Sequence, residues 1–256
     1  MLRPRAALTR RPGPELVACE LTHLVREPID VERACEQHAA YEQCLRELGL
    51  EVTSLPALSG HPDAVFVEDV AIVLDDLAII TTPGAASRRD ERESVATVLA
   101  TRRELHRLSE DARLDGGDVL VVGDVLHVGR STRTNDRAVD ELTELLSSRG
   151  IRVQCVPVHG CLHLKTACTS LGDGTVLVHR AWIDAGELIV DELVDVPASE
   201  PGGANVVVVG EAVVASASFP ETAELLRQRG HELQTVALDE LEKAEAGPTC
   251  LSLLLS

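Results

Sequence analysis

The side chains of this sequence that are best suited to chemistry stand at the starts of short apolar strands. They are Asp63, Glu68, Asp69, Asp115, Asp118, His163, Lys165 and Cys250. A thiol, a histidine and carboxylates are the groups that cysteine nucleophilic catalysis with a histidine acid/base requires. Taken one at a time, these residues are as well explained by solvated bulges, turns and a hydrogen-bonded structural histidine. Because they fall at equivalent places in a repeated unit, we interpret them as one site.

The thiol of Cys250 lies in the stretch "EAGPTCLSLLLS", between a Gly-Pro turn and an apolar run. Leu251 to Leu255 have the pattern of a core strand, and cysteine is often buried, so packing alone could account for this thiol. A catalytic role requires that the last strand bring Cys250 to the other chemical groups. The remaining elements must therefore supply a fold in which the end of the chain meets its middle.

A strand–turn–strand pattern recurs along the chain. It appears in "AVFVEDVAIVLDDLAIITT", "GGDVLVVGDVLHVGRS", "HLKTACTSLGDGTVLVH" and "GGANVVVVGEAVVASAS". The predicted hairpin turns are Asp75-Asp76, Gly123-Asp124, Asp173-Gly174 and Gly210-Glu211. After most pairs come an amphipathic helical stretch, such as "DRAVDELTELLSSRG", and a further strand, which gives a ββαβ unit roughly every 40 to 50 residues. Repeats at this spacing indicate a radial or stacked array.

The two ends of the chain supply a fifth unit. Its strands would be "TCLSLLL", "PELVACE" as the neighbouring strand, and "LEVTSLP" after a helix that begins at the N-cap Asp30 and stops at Gly49. Joining the termini in one unit closes a ring and removes exposed sheet edges. We therefore predict one α/β domain over residues 1–256, in which the starts of the five units converge on a central axis.

Composition and charge limit the partners of the protein. The 256 residues are 45% hydrophobic but only 2% aromatic, so aliphatic side chains must build the core. The net charge of −18 repels nucleic acid and anionic membranes and attracts a small cationic substrate. The sequence has no apolar run of roughly 18 residues and no signal-peptide pattern, which predicts a cytoplasmic location. Oligomerisation is compatible with these features and is not implied by them.

The cysteines do not form a structural framework. There are seven: Cys19, Cys35, Cys44, Cys155, Cys161, Cys168 and Cys250. Their odd number and the lack of CxxC spacing argue against disulfides and against a structural zinc site. Cys161 and His163 form a Cys-x-His pair, but two ligands do not complete a zinc site. We predict no bound metal.

Five ordered motifs give the chain a family resemblance. They are "PDAVFVEDVAIV", "ITTPGAASRR", "LDGGDVLVVGDVLHVGRSTRTN", "VPVHGCLHLK" and "GPTCLSLLL", and they span nearly the whole sequence. Together they resemble the dimethylarginine dimethylaminohydrolases of the guanidine-modifying, or pentein, superfamily. This resemblance implies a five-bladed α/β propeller with a central active site, which agrees with the repeat count.

The resemblance also implies a reaction and its catalytic residues. The reaction is hydrolysis of Nω-methylated arginine to citrulline and a methylamine through a covalent S-alkylthiouronium intermediate, with no cofactor. By position, Cys250 resembles the nucleophile, His163 the general acid/base, and Asp115 the carboxylate that orients the histidine. Lys165 is expected to support its loop.

Six further residues resemble the substrate-binding residues of the family. They are Leu21, Asp63, Glu68, Asp69, Arg88 and Arg133. Asp69 with Glu68 would bind the guanidinium, and Asp63 would contact the α-amino group. Arg88 and Arg133 would hold the α-carboxylate, because two arginines facing a carboxylate can bind it bidentately. Leu21 would belong to a loop that covers the substrate.

We weigh three alternative functions against the same residues. An arginine deiminase would use the same thiol, histidine and carboxylates on unmethylated arginine, and burial of a methyl group contributes only about 0.8 kcal/mol to the preference. Hydrolysis of another small guanidine compound is the second alternative. The third is a noncatalytic propeller that binds a partner, which predicts loss of the nucleophile or the histidine, and both are present.

Overall fold

The computed structural model describes residues 4–256. Within this range the chain forms fifteen strands and six α-helices, an α/β fold. The strands are β1 (Ala6–Arg10), β2 (Glu51–Leu55), β3 (Ala71–Val73), β4 (Leu77–Ile80), β5 (Glu104–Arg107), β6 (Val119–Val122), β7 (Val125–Arg130), β8 (Arg152–Pro157), β9 (Cys168–Gly172), β10 (Thr175–Val178), β11 (Glu192–Asp195), β12 (Val207–Val209), β13 (Ala212–Ser216), β14 (Glu232–Val236) and β15 (Leu253–Leu255). The helices are α1 (Val31–Glu47), α2 (Arg92–Leu99), α3 (Asp136–Ser147), α4 (Leu164–Ala167), α5 (Pro220–Gln228) and α6 (Asp239–Glu242).

The strands form five three-stranded sheets with one topology. The sheet orders are β15-β1-β2, β3-β4-β5, β6-β7-β8, β9-β10-β11 and β12-β13-β14. In each sheet the middle strand pairs antiparallel with one neighbour and parallel with the other. The four predicted hairpins are present, and Gly123 and Gly210 adopt the positive φ that such tight turns require.

The first sheet joins the two ends of the chain, as predicted, but with a different strand beside β15. The segment "PELVACE" was predicted as this neighbour, and that prediction is wrong. Residues Pro14–Ala18 form a 3-10 turn, because proline at the first position suits a helical turn and lacks a ladder donor. The strand is β1 instead, all five residues of which are buried between β15 and β2.

Helices connect the parallel strands in four of the five sheets. The N-cap carboxylate of Asp30 accepts the N–H of Arg33 at 3.1 Å, and Gly49 follows the end of α1 with a φ of 91°, as the sequence predicted. Helices α2, α3 and α5 occupy the same place in three further sheets. Between β10 and β11 the described chain has two short 3-10 turns and no α-helix.

The first antiparallel strands of all five sheets meet around one cavity of about 240 Å³, which we call the strand cavity. Strands β3, β6, β9, β12 and β15 each contribute lining residues, together with the side chains of Glu68 and Lys165. The starts of the five units therefore do converge.

None of the helices within residues 4–256 is long and apolar enough to span a membrane.

Candidate active site

A second, smaller cavity of about 20 Å³ gathers most of the residues that the sequence singled out. We call it the catalytic cavity; its lining residues are Glu20, Asp63, Phe66, Asp69, Arg88, Arg133, Leu162, His163, Ala244, Glu245, Ala246 and Cys250. Six of the nine predicted site residues are among them. Asp115 reaches the cavity through a hydrogen bond to His163, whereas Glu68 and Leu21 are not among its described lining residues.

Short helical turns deliver these side chains. A 3-10 turn or the one-turn helix α4 precedes the first strand of each sheet, at Val67–Val70, Gly116–Asp118, Leu164–Ala167, Pro201–Ala204 and Pro248–Leu251. A turn breaks the alternation of a strand, so its side chains can leave the core face and point toward the convergence of the units. This explains why carboxylates, a histidine and a thiol begin apolar strands.

A buried hydrogen bond joins His163 to Asp115. The Nε2 of His163 lies 2.9 Å from an Oδ of Asp115, and its Nδ1 lies 3.7 Å from an Oδ of Asp69. Burial lowers the pKa of His163, but Asp69, Asp115 and Asp118 together outweigh it and raise this pKa to about 9. Burial also opposes ionisation of Asp115, yet the bond to His163 and the nearby Arg88 and Arg133 hold its pKa below the usual value. His163 is therefore protonated at neutral pH, and its hydrogen bond to Asp115 fixes the orientation of the ring.

Asp118 fixes the backbone beside the histidine. Its carboxylate accepts the N–H of Leu164 at 3.0 Å and the hydroxyls of Ser131 and Thr134. Complete burial raises the pKa of Asp118 to about 6, against the opposing effects of His163 and these donors. Asp118 thus positions the turn that carries His163 without lining the catalytic cavity.

Gly117 is required by the close approach of two of these side chains. A β-carbon at this position would lie 2.6 Å from Nδ1 of His163 and 2.8 Å from an Oδ of Asp69. We expect Gly117→Ala to displace the imidazole and to lower, at least tenfold, kcat for the hydrolysis of methylated arginine that the sequence predicts. The reason is that small misplacements of catalytic groups are costly. Gly186→Ala is the matched control, since its β-carbon would meet only an ordinary contact with Asp184. Comparable kcat for both variants would contradict the expectation.

The thiol of Cys250 is buried in the Pro248–Leu251 turn. Its sulfur accepts a weak hydrogen bond from the N–H of Gly247 at 3.5 Å, and the side chain is 8% exposed. Burial, followed by the charges of Glu68 and Asp69, raises the pKa of Cys250 to about 12. The hydroxyl of Tyr41 lies 2.8 Å from that of Ser252, which ties α1 to the segment after the thiol. The free protein therefore holds a neutral thiol in a fixed place.

Arg88 is buried and already paired. Its guanidinium donates to Asp69 at 2.6 Å, to Glu91 at 2.9 Å, and to the backbone carbonyls of Asp63 and Phe66. These charge-assisted bonds overcome the burial that would lower the pKa of Arg88, which stays well above its usual value. The arginine and Asp69 thus enter the catalytic cavity as an ion pair.

Arg133 and Asp63 contact a chain segment whose Glu20 lines the catalytic cavity. This segment comprises residues 19–25, and we call it the lid segment. The backbone N–H of Glu20 donates to the Asp63 carboxylate at 3.1 Å. Arg133 lies 3.3 Å from Asp115 and 3.7 Å from the carboxylate of Glu20. Burial raises the pKa of Asp63, although Arg88 opposes this shift. Leu21 lies in this segment, half-buried, with its side chain packed on the core cluster that includes Leu16 and Cys250.

Glu68 faces the strand cavity. Its carboxylate forms an ion pair with Lys165 at 2.5 Å and accepts the hydroxyl of Thr249 at 2.8 Å. The side chain also lines the strand cavity, as does Lys165. Glu68 is not among the described lining residues of the catalytic cavity, and its predicted contact with substrate stays a prediction.

Sequence reasoning missed three glutamates of the site. Glu91 holds Arg88, and the spacing of three residues is a signal for an ion pair on a helical turn. Glu245 lines the catalytic cavity and accepts the N–H groups of Thr22, His23 and Leu24. Glu20 also lines the cavity, but neither Glu20 nor Glu245 stands in a local pattern that predicts contacts across the chain.

Three residues of the site bear on metal binding. Asp69, Asp115 and His163 are close enough together to share a metal ion. However, the guanidinium of Arg88 contacts the carboxylate of Asp69, and that of Arg133 contacts the carboxylate of Asp115.

Cys161, to which the sequence assigned no role, donates its thiol proton to the carbonyl of His163 at 3.3 Å.

Comparisons with known proteins find relatives that match nearly the whole chain. A family described as eukaryotic N,N dimethylarginine dimethylhydrolase matches residues 23–199. The N(G),N(G)-dimethylarginine dimethylaminohydrolase of Streptomyces coelicolor is 42% identical over 253 residues, which cover 98% of this chain and 97% of the relative. The enzyme of the same name from Pseudomonas aeruginosa is 31% identical, covering 96% of this chain and 97% of its own.

Solved structures of known proteins share the fold of this chain. A mutant of the Pseudomonas aeruginosa enzyme in complex with citrulline superposes with a TM-score of 0.90 at 28% identity, covering 99% of this chain and all of the other. The N-terminal domain of a cyanobacterial arginine dihydrolase shares the fold, with a TM-score of 0.88 at 20% identity over 98% of this chain and 97% of that domain. The chain belongs to the dimethylarginine dimethylaminohydrolase family.

Proposed function

We propose that this protein hydrolyses Nω-methylated L-arginine to L-citrulline and methylamine or dimethylamine, through an S-alkylthiouronium on Cys250 and without a cofactor. The observation that carries this proposal is one buried cavity that holds a thiol, a histidine bonded to a carboxylate, and the carboxylate of Asp69. The relatives named as dimethylarginine dimethylaminohydrolases support the substrate class, and the net charge of −18 favours a cation.

Binding of the guanidinium is the first requirement. A guanidinium stays protonated throughout the physiological pH range and has a poorly electrophilic carbon, so fixed anions must hold it beside a strong nucleophile. Asp69 supplies such an anion, with charge-assisted hydrogen bonds of about 1.5 to 3 kcal/mol each. When Asp69 turns to the substrate, Arg88 keeps Glu91 and two backbone carbonyls as partners. The arginine then stays in place to face the substrate carboxylate beside Arg133.

The bound cation then activates the thiol. The same burial and carboxylates that raise the pKa of Cys250 to about 12 are offset once a positive charge lies next to the sulfur. Asp63, Arg88 and Arg133 fix the amino acid end of the substrate, which excludes peptide-bound arginine because it lacks a free α-carboxylate. Substrate binding thus couples recognition to formation of the thiolate.

His163 serves both halves of the reaction. The thiolate attacks the guanidinium carbon, and the tetrahedral adduct expels the substituted amine as His163 donates a proton to it. The sulfur then carries the thiouronium. His163, now neutral, removes one proton from water, and the resulting hydroxide attacks the same carbon. The C–S bond then breaks, the proton left on the new oxygen passes to the departing sulfur, and citrulline and the thiol of Cys250 are released. Asp115 keeps the ring in the orientation that both transfers need.

The pH dependence of kcat/KM follows from the protons that His163 and Cys250 carry in the free enzyme. At neutral pH both His163 and Cys250 are protonated, which is one proton more than the reactive thiolate–imidazolium pair holds. We expect kcat/KM to rise about tenfold per pH unit toward the His163 pKa of about 9 and to level off above it. The midpoint for kcat should lie lower, because bound substrate promotes thiol ionisation. A kcat/KM that is flat or falling between pH 7 and 9 would contradict this assignment.

Access to the catalytic cavity requires movement of the lid segment. The cavity volume of about 20 Å³ has room for roughly one water molecule and not for an amino acid. Glu245, whose backbone has a φ of 60°, holds the lid segment through the N–H groups of Thr22 at 3.0 Å and Leu24 at 2.6 Å. Glu245 therefore joins the lid segment to the loop that leads to Cys250.

Removing the charge of Glu245 should loosen the lid segment. We expect Glu245→Gln to lower kcat/KM roughly fivefold to thirtyfold, the effect of losing 1 to 2 kcal/mol from the closed state. Hydrogen exchange of the amides of residues 22–24 should also become faster in the absence of substrate. Glu27→Gln, at an exposed position close by in the chain, is the control. Unchanged exchange in Glu245→Gln would show that this carboxylate does not hold the segment.

The finer architecture is part of the same proposal. We infer that the five sheets are the blades of a five-bladed α/β propeller and that residues 1–256 form one catalytic domain. The strand cavity, to which all five sheets contribute, supports a common axis. A closed ring needs no further subunit, and nothing in the reaction needs nucleic acid or a membrane, so we propose a cytoplasmic enzyme with a small cationic amino acid as its partner.

The decisive experiment measures citrulline released from asymmetric dimethylarginine, monomethylarginine and free arginine by the full-length protein. Preferential turnover of the methylated substrates is the expected result. Faster turnover of arginine would make the protein a deiminase. No release from any of the three would overturn the proposed function.

A further inference from the structure

A third cavity, of about 360 Å³, lies against the catalytic cavity and shares three wall residues with it. We call it the aromatic cavity. The shared residues are Leu162, Glu245 and Ala246. Its other lining residues include Gly160, Trp182, Gly202, Phe219 and Glu242. Its volume is in the range of small-molecule sites.

The wall of this cavity holds an unusual share of the aromatic side chains. The protein has one tryptophan and two phenylalanines, and both Trp182 and Phe219 line this cavity. Each ring packs on a glycine: a β-carbon at Gly160 would collide with Trp182, and one at Gly202 would lie 2.6 Å from the Phe219 ring. Trp182 also meets His179 edge to face at 4.7 Å. The rings are therefore held in place on two sides of the cavity.

The charge of the cavity wall is negative. Two carboxylates, Glu242 and Glu245, line it, and none of its described lining residues is Lys or Arg. Glu242 accepts the hydroxyls of Ser216 and Ser218, and Glu245 accepts backbone N–H groups. These donors are neutral, so both negative charges remain. Aromatic faces combined with carboxylates are the environment that binds alkylammonium ions.

We propose that the aromatic cavity binds small alkylammonium ions and receives the amine product of the reaction, an inference that rests on the proposed function. The amine departs beside His163, and the next residue toward the aromatic cavity is Leu162, which lines both cavities. The departing neutral amine takes a second proton from water and becomes a methylated ammonium. Its methyl groups suit the faces of Trp182 and Phe219, and its charge suits Glu242 and Glu245.

The only tryptophan of the chain reports directly on this site. The fluorescence of Trp182 is titrated with dimethylammonium chloride, with sodium chloride at equal ionic strength, and with tert-butanol as a neutral methylated probe. A saturable change in the millimolar range with dimethylammonium alone is expected, since cation–π contacts contribute only about 0.5 to 2 kcal/mol each. A response that does not saturate, or an equal response to tert-butanol, would overturn the proposal.

Two further arms locate the bound ion. In the first, saturating citrulline occupies the catalytic cavity, and the dimethylammonium response is expected to persist. Its loss would mean that the ion binds in the catalytic cavity instead. In the second, Phe219→Leu keeps an apolar side chain without the ring, and the half-saturating concentration is expected to rise at least threefold. An unchanged concentration would also overturn the proposal.

These measurements separate this inference from the proposed function, because they need no turnover. A saturable response in a protein that releases no citrulline would support the site and remove the reaction. Citrulline release without any dimethylammonium response would support the reaction and remove the site.

Discussion

Replacing Cys250 with serine is expected to lower kcat for asymmetric dimethylarginine by roughly 10⁴-fold or more, with the fold retained. The substitution is nearly isosteric at a position that is 8% exposed, and the serine oxygen can still accept the N–H of Gly247. A hydroxyl is far harder to ionise than a thiol, whose free pKa is about 8.5, and even a bound guanidinium cannot compensate for that difference. Citrulline release under steady-state conditions measures the loss.

The control for this prediction is another thiol. Cys155 lies half-buried on β8 and does not line the catalytic cavity, so Cys155→Ser should leave citrulline release within about twofold of the original rate. The Cys250→Ser variant should still bind substrate, because the carboxylates and arginines of the cavity are unchanged. Turnover by Cys250→Ser within tenfold of the original would mean that another group performs the attack.

Local patterns in the sequence predicted the repeated hairpins and the long helix. Gly123 and Gly210 mark turns whose backbone few other residues adopt, and Asp30 caps α1 through its own side chain. Strand β1 was missed because "AALTR" is short and follows a broken, arginine-rich start, and because its pairing with β15 joins residues at opposite ends of the chain. A pairing between distant segments leaves no local signal.

In the candidate site, too, residues with a local sequence signal could be predicted, and contacts between distant segments could not. Cys250, His163 and the carboxylates were found because each interrupts an apolar pattern at an equivalent point of the repeat. The partners of those residues were not found in this way. That Arg88 is paired with Asp69 and Glu91, or that Glu68 turns to Lys165, depends on side-chain geometry between segments that the sequence does not relate.

Replacing His163 is the second substitution that we expect to lower kcat strongly. We expect His163→Gln to lower kcat for asymmetric dimethylarginine by about 10² to 10⁴-fold, the usual contribution of a general acid or base. Glutamine retains a hydrogen-bonding group near Asp115, but it can neither protonate the departing amine nor deprotonate water. His159→Gln is the control, because His159 is exposed and lies outside the catalytic cavity.

A substrate analogue with a thiolate leaving group separates the two roles of His163. A thiolate can depart without a proton, so in His163→Gln the thiol group of Cys250 should still attack the analogue and displace its leaving group in the first step. Hydrolysis of the resulting thiouronium still needs a base, so the adduct should accumulate and appear as a mass increase of the intact protein at one thiol. The added mass should be absent when Cys250 is also serine. If His163→Gln instead turns over the analogue at the original rate, the histidine is not the base, and the role assigned to its bond with Asp115 is wrong.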